Sequence, residues 1–292
     1  MIVLDWHGFR CGLAGEDAIA QELSAHITHV GIPMHHTDPY VNDMVDAGFQ
    51  IVRTMEPPWN AGRPGLAEGN LGKILLEYND QQNPGKFFTE YAANLKDPID
   101  GIGWNMEHGV FEINLTSEDR KYWDKYAKNL NLVDLRCQQF ALILRLYQKS
   151  AQWKFKKPIP TFAYSGYQGI TYNRRDTIQQ AYGVDWNALA QPVAYRGLVY
   201  PPVDYAVCAW HGLELPATAI QRPPGLKILH NLGLPEYEPQ KQRFADYEKM
   251  LRNRLKVRGP EDGLAIVACS PMTGPWNYQE ENLRGVLRKV LG

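Results

Sequence analysis

The chain has 292 residues, with 31 lysines and arginines against 32 aspartates and glutamates, so its formal net charge is -1. Nucleic acids and anionic membranes attract cationic faces, and this balance disfavours both as main partners. Hydrophobic residues make up 44% of the chain and charged residues 22%, which is ordinary globular usage and excludes wholesale disorder. No uninterrupted apolar run reaches the roughly 18 residues that a bilayer-spanning helix needs.

The cysteines and the amino terminus bear on the compartment. The four cysteines are far apart and form no C-x-x-C pair, which excludes a zinc ribbon and favours buried free thiols. The first five residues, MIVLD, are typical of a strand, and no signal peptide is visible. The sequence therefore predicts a cytoplasmic protein, or a secreted one whose leader has been removed, and leaves the oligomeric state open.

Short β-rich runs alternate with helical stretches along the chain. Strands are predicted at 2–5, 29–32, 49–54, 100–106, 160–164 and 264–269, and three further runs, 192–200, 204–210 and 226–230, compete for two places. Helices are predicted at 15–26, 40–47, 87–95, 175–182, 240–257 and 277–290, and a capping-box pattern at 116–119 opens another long helical region. The segment 62–85 is predicted to be rich in loops, and the basic residues of 247–258 to form the solvated face of an outer helix.

Eight strands with helices between them predict an α/β protein, a single (β/α)8 TIM barrel over residues 1–292 with elaborated βα loops. A doubly wound open sheet is the alternative. It would usually carry a glycine-rich phosphate loop after its first strand. The first strand here ends in Asp5-Trp6-His7-Gly8-Phe9-Arg10, which does not match such a loop, so the barrel is favoured.

Functional side chains of a barrel cluster at the carboxyl ends of its strands. The predicted strand ends are rich in aromatic, amide and carboxyl groups and poor in lysine, which suits a neutral, polyhydroxylated ligand. The chain holds 8 Trp and 16 Tyr, and such rings can stack on a sugar while their polar atoms form hydrogen bonds. The predicted substrate-binding residues are Trp6, His7, Trp59, Tyr164, Tyr195, Trp210, His211 and Trp276.

The sharpest segment is IDGIGWNME at 99–107, which contains the fourth predicted strand. Strand alternation puts Gly101, Gly103, Asn105 and Glu107 on one face, which a barrel can turn to its interior. The glycines are expected to leave space below, with Asn105 and Glu107 at the open end. A carboxyl group at that height can protonate a glycosidic oxygen if an apolar wall raises its pKa.

This segment resembles two related groups of glycoside hydrolases, the family 18 chitinases with D-G-x-D-x-D-x-E and the family 85 endo-β-N-acetylglucosaminidases with D-G-x-x-x-N-x-E. Asp100-Gly101, Asn105 and Glu107 match the second pattern, while Gly103 and Asn105 depart from the later aspartates of the first. The resemblance covers about eight residues of the chain. It implies that Glu107 is the acid/base and that Asn105 orients a substrate 2-acetamido group, whose oxygen attacks the anomeric carbon.

A substrate without an acetamido group requires a second protein carboxylate. Retaining glycosidases place their carboxyl groups about 5–5.5 Å apart, and inverting ones about 6.5–9.5 Å. Asp5, at the end of the first strand, and Glu56, after the third, are the candidates. Glu56 lies one strand from Glu107, whereas Asp5 is expected across the barrel, where it suits a base that activates water.

Two alternatives stay open beside the glycosidase. Asn105, where a carboxylate could stand, leaves room for a carbohydrate-binding barrel without activity. Asp5-Trp6-His7 resembles the first-strand H-x-H of metal-dependent amidohydrolases, with His211 and His230 as further ligands. The last predicted strand supplies no aspartate for such a site, so the sequence predicts neither a metal nor a cofactor, and an oligosaccharide or polysaccharide as the partner.

Overall fold

The structure, a computed structural model, describes residues 1–6, 17–33, 39–55, 71–93, 95–105, 115–165, 183–208, 223–231, 240–266 and 281–292. Its strands are β1 (Val3–Asp5), β2 (His29–Pro33), β3 (Gln50–Met55), β4 (Gly101–Asn105), β5 (Thr161–Ser165), β6 (Val193–Tyr195), β7 (Leu198–Tyr200), β8 (Tyr205–Cys208), β9 (Lys227–Asn231) and β10 (Gly263–Ile266). Its helices are α1 (Asp17–Ser24), α2 (Pro39–Asp46), α3 (Leu71–Asp80), α4 (Pro84–Tyr91), α5 (Ser117–Tyr122), α6 (Leu132–Phe155), α7 (Trp186–Leu189), α8 (Gln240–Val257) and α9 (Glu281–Leu291).

Eight parallel strands close into a barrel in chain order: β1, β2, β3, β4, β5, β8, β9 and β10, with β10 paired to β1. Helices connect the strands and pack outside them, which confirms the predicted (β/α)8 barrel. Among the described strands, β6 and β7 pair with each other as a two-stranded antiparallel hairpin. The competition among three runs is thus resolved in favour of those that form β8 and β9.

The prediction that 62–85 is rich in loops was wrong for residues 71–80, which form α3. Leu71, Leu75 and Tyr78 recur at helical spacing and are fully buried. α4 then begins at Pro84, earlier than predicted, where the side chain of Asn83 accepts a hydrogen bond from the backbone of Gly85. The predicted helix at 175–182 lies outside the described residues.

The capping box at the start of α5 is confirmed. Thr116 Oγ1 accepts from the backbone N–H of Asp119, and the Asp119 carboxylate accepts from that of Thr116, both at 3.1 Å. The same carboxylate is completely buried, lies 3.2 Å from Arg136 of α6 and accepts from Gly72 of α3. One aspartate therefore joins three helices. A π-helical turn, Trp123–Ala127, separates α5 from α6.

The barrel interior is a packed layer of apolar and aromatic side chains. Its buried members are Leu4, Trp6, Val52, Phe162, Tyr164, Val207, Leu229 and Ala265. Alternate strand positions face the helices instead. Ile102 and Trp104 of β4 belong to the outer core, where Trp104 packs edge-to-face on Tyr147 of α6 at 5.3 Å. The prediction that β4 turns its glycines inward is thereby confirmed.

The glycines of β4 leave no empty space, contrary to expectation. A Cβ atom on Gly101 would lie 2.6 Å from the Phe162 ring, and one on Gly103 would lie 3.1 Å from the Trp6 ring and 3.0 Å from Thr54 Cγ2. Aromatic side chains from β5 and from the end of β1 fill the volume that the glycines free. The lumen is therefore solid at the level of β4. Within the described residues, no helix is long and apolar enough to cross a membrane.

Candidate functional site

β4, the strand that carries the start of the predicted catalytic segment, ends at the mouth of the barrel. Asn105 is the last residue of β4, and its Cα pairs with that of Tyr164 on β5. Position 105 continues the lumen face of Gly101 and Gly103, because alternate positions on a strand share one face. Glu107, two residues further along the chain, lies outside the described residues.

Trp6 and Tyr164, which were predicted to bind substrate, contact each other below the end of β4. Their rings stack with centroids 5.1 Å apart and an interplanar angle of 27°. Trp6 is 3% exposed and Tyr164 is 0% exposed. The pair therefore fills the lumen just below the end of β4.

Asp5 does not face the lumen, where it was expected as a water-activating base. Leu4 and Trp6 on either side of it are interior residues, and Val3 belongs to the outer core. Asp5 is 1% exposed. The pKa of Tyr247 on α8 is raised mainly by the burial of its own hydroxyl and, to a smaller extent, by the negative charge of Asp5. Its carboxylate thus lies between the barrel and the helix layer.

Tyr195 also lies away from the mouth, since the run that carries it forms the β6–β7 hairpin. Its hydroxyl donates to Asn79 Oδ1 of α3 at 2.7 Å, and its ring stacks on Tyr78 with centroids 5.9 Å apart. These contacts tie the hairpin to the helix layer. We therefore leave Tyr195 out of the proposed site.

The metal alternative gains no support from the described histidine. His230 is buried in β9 next to the lumen residue Leu229, and its Nε2 lies 3.3 Å from Asp262 Oδ2, just before β10. It therefore faces outward. In the parts of the chain that the structure describes, no three His, Cys, Asp or Glu residues are grouped to hold a metal ion.

The remaining predicted site residues lie in the segments that follow the strands, outside the described residues. They are His7, Glu56, Trp59, Glu107, Trp210, His211 and Trp276. Glu56 directly follows β3, which pairs with β4. The catalytic and binding roles of these residues stay predictions.

Sequence reasoning missed Gly31, which shapes the same end of the barrel. A Cβ atom on Gly31 would lie 2.2 Å from the backbone oxygen of Trp6, so β2 can approach the end of β1 only with a glycine here. A glycine inside the β-rich run HVGIP was the available signal, because such a residue often marks a close backbone approach.

Comparisons with known proteins bear on the fold. No protein family and no curated protein matches the sequence. Among solved structures, the spore cortex-lytic enzyme SleL of Bacillus megaterium QM B1551 has a TM-score of 0.53 at 9% identity, covering 99% of this chain and 73% of that one. The chain is a TIM barrel. At identities this low, the likeness establishes the fold and nothing further.

Two other neighbours have the same architecture. A β-mannanase from the blue mussel Mytilus edulis has a TM-score of 0.50 at 9% identity, covering 94% of this chain and 84% of that one. A thermostable mutant of a xylanase from Cellvibrio japonicus has a TM-score of 0.50 at 14% identity, covering 99% and 97%. The barrel described here is thus similar in fold to these solved structures.

Proposed function

We propose that this chain is a glycoside hydrolase that acts on a polysaccharide or oligosaccharide, with Glu107 as its acid/base. The observation that carries the proposal is the register of β4: Gly101, Gly103 and position 105 share the lumen face, and the strand ends at the mouth of the barrel. The D-G-x-x-x-N-x-E pattern assigns the acid/base to Glu107, two residues after this strand end. The names of three structural neighbours, a β-mannanase, a xylanase and a cortex-lytic enzyme, support the same class.

In the proposed reaction, the Glu107 carboxylic acid donates its proton to the glycosidic oxygen as the bond to the anomeric carbon breaks. With a 2-acetamido sugar, the acetamido oxygen attacks that carbon and Asn105 holds the acetamido group in line. Glu107, now a carboxylate, then takes a proton from the water that opens the cyclic intermediate. The covalent step thus uses an atom of the substrate.

With a sugar that lacks the acetamido group, Glu56 is the proposed second carboxylate, because it follows the strand beside β4. Asp5 is not included, since it lies under α8. His7, Trp59, Trp210, His211 and Trp276 are proposed to stack on or hydrogen bond the sugar around the mouth.

Glu107→Gln tests the proposal. The amide keeps the shape of the side chain but has no acidic proton, so we expect kcat on a cleaved glycan to fall roughly 10²–10⁴-fold while oligosaccharide binding persists. The measurement is a glycan panel with product analysis, followed by calorimetric binding. Glu90→Gln, on the exposed side of α4, is the control and keeps the wild-type rate. A wild-type rate in Glu107→Gln would refute the assignment.

Asn105 favours a second candidate, a carbohydrate-binding barrel without hydrolytic activity. An amide stabilises the positive charge of a cyclic intermediate less well than a carboxylate does. Binding to a glycan that the wild-type protein never cleaves would support this candidate.

A further inference from the structure

We propose that Trp6 and Tyr164 form a positioning layer beneath the end of β4, the strand that leads to Glu107, and that Gly103 is the residue that lets this layer form. Substrate does not touch the two rings. They fix the height and direction of the end of β4. The inference rests on the proposed function and deepens it, because it assigns roles to residues that do not reach the sugar.

The register places the layer beneath and beside Asn105, the last residue of β4. Tyr164 is the pairing partner of Asn105 on the neighbouring strand, and Gly103 is the next lumen position below Asn105 on β4 itself. The Trp6 ring lies against Gly103 and stacks on Tyr164. Gly103 below position 105 and Tyr164 beside it are therefore packed together through the Trp6 ring.

Two glycines set the position of this layer. At Gly31 a Cβ atom would collide with the Trp6 backbone, and at Gly103 it would lie 3.0–3.2 Å from Trp6, Thr54 and Val52 side-chain atoms. Position 31 therefore has no room for any side chain. The distances at position 103 are slightly shorter than ordinary van der Waals contacts, so alanine there would push the indole by a few tenths of an ångström without breaking the barrel.

The burial of the two rings excludes direct stacking on a sugar. At 3% and 0% exposure they offer no face to a ligand, and they also close the lumen to any substituent that points downward. A change in this layer should therefore alter the placement of the reacting groups and not the contacts with substrate. Such a change lowers kcat and leaves KM nearly constant.

The experiment compares Gly103→Ala, Trp6→Phe and the double variant on the best glycan of the panel. We expect Gly103→Ala to lower kcat roughly tenfold, with KM within about twofold of wild type. Phenylalanine is smaller than tryptophan and gives back the space that the new methyl group takes. The double variant should therefore recover most of the lost kcat.

The matched control is Gly285→Ala on α9, where the nearest atom to a new Cβ is 4.0 Å away; it should keep both constants. A rise in KM with unchanged kcat in Trp6→Phe would overturn the proposal in favour of a sugar-stacking contact. So would additive losses in the double variant. If Glu107→Gln abolishes hydrolysis while Gly103→Ala matches wild type, this inference fails and the proposed function stands. If Glu107→Gln stays fully active, both fail.

Discussion

His29 is a titratable residue with a neutral ring inside the barrel. It opens β2 on the lumen side of that strand, 6.0 Å from the Phe162 ring, and its Nδ1 lies 2.8 Å from Thr28 Oγ1. Burial lowers the pKa of His29 to about 4, with Asp100 raising it in part and the amino-terminal ammonium lowering it further. The folded protein therefore accepts a proton here less readily than the unfolded chain does.

We expect the free energy of unfolding to fall as the pH decreases from about 6.5 to about 4. The stability from neutral His29 is complete above the unfolded pKa near 6.5 and is lost as the unfolded chain gains a proton, by roughly 3 kcal/mol in all. Urea titrations at several pH values measure the slope. His29→Gln should flatten it, leaving the smaller part due to His26, whose pKa burial also lowers. An equal slope in that variant would contradict the assignment.

At the scale of secondary structure, α3 and α5 cross at a glycine. A Cβ atom on Gly72 would lie 2.4 Å from the Asp119 Cα and 2.5 Å from its backbone nitrogen. The backbone N–H of Gly72 also donates to Asp119 Oδ1 at 2.8 Å. The close approach is thus required for the hydrogen bond that joins the starts of the two helices.

Gly72→Ala should destabilise the protein by about 1–3 kcal/mol, because the methyl group would force backbone to move away from backbone. The same substitution at Gly285, in the open part of α9, should stabilise it by about 0.5–1 kcal/mol, since alanine favours the helix and restricts the unfolded chain. Thermal and urea unfolding measure both. Equal effects at the two positions would mean that Gly72 does not determine the crossing.

At the scale of the whole molecule, the ends of the chain are joined twice. β1 pairs with β10 to close the barrel, and outside them Glu22 of α1 forms ion pairs with Arg284 and Arg288 of α9. Glu281 binds the same two arginines from their own helix. Because Arg284 and Glu22 are mostly buried from solvent, this pairing is screened less than an exposed pair would be.

Glu22→Gln should lower the midpoint of thermal unfolding by about 2–4 °C, because it removes the charge that links the first helix to the last. The difference from wild type should shrink in 1 M salt. Glu77→Gln, which breaks only an exposed pair with Lys73 inside α3, should leave the midpoint unchanged. If the two variants lowered the midpoint by the same amount, the ion pairs between α1 and α9 would stabilise the protein no more than an exposed pair within one helix.

Most elements were predictable because their signals are local. The capping box at Thr116 involves residues only three positions apart, and the helical stretches that form α8 and α9 are continuous in the sequence. The alternation of strands and helices predicted the barrel. The helix α3 was missed because its apolar residues follow a long polar stretch that resembles a loop.

The orientation of Asp5 and the place of Tyr195 were not predictable. Val3, Leu4, Asp5 and Trp6 are all buried, so β1 carries no alternation of polar and apolar residues to show which face turns inward. Tyr195 lies in a run that resembles a barrel strand. Tyr195 pairs with Leu198 in the adjacent strand of a hairpin and not with a barrel strand. The sequence does not show which strand will be the partner, because pairing is a property of the folded chain.

The sequence by itself determined the fold class, most of the strands and helices and the inward face of β4, because these depend on periodicity along short stretches of chain. Only the tertiary structure decided that the glycines of β4 accommodate Trp6 and Phe162, that Asp5 lies under α8, and that one hairpin stays out of the barrel. Each of these depends on which distant strand becomes a neighbour, and closure of the barrel fixes those neighbours all at once.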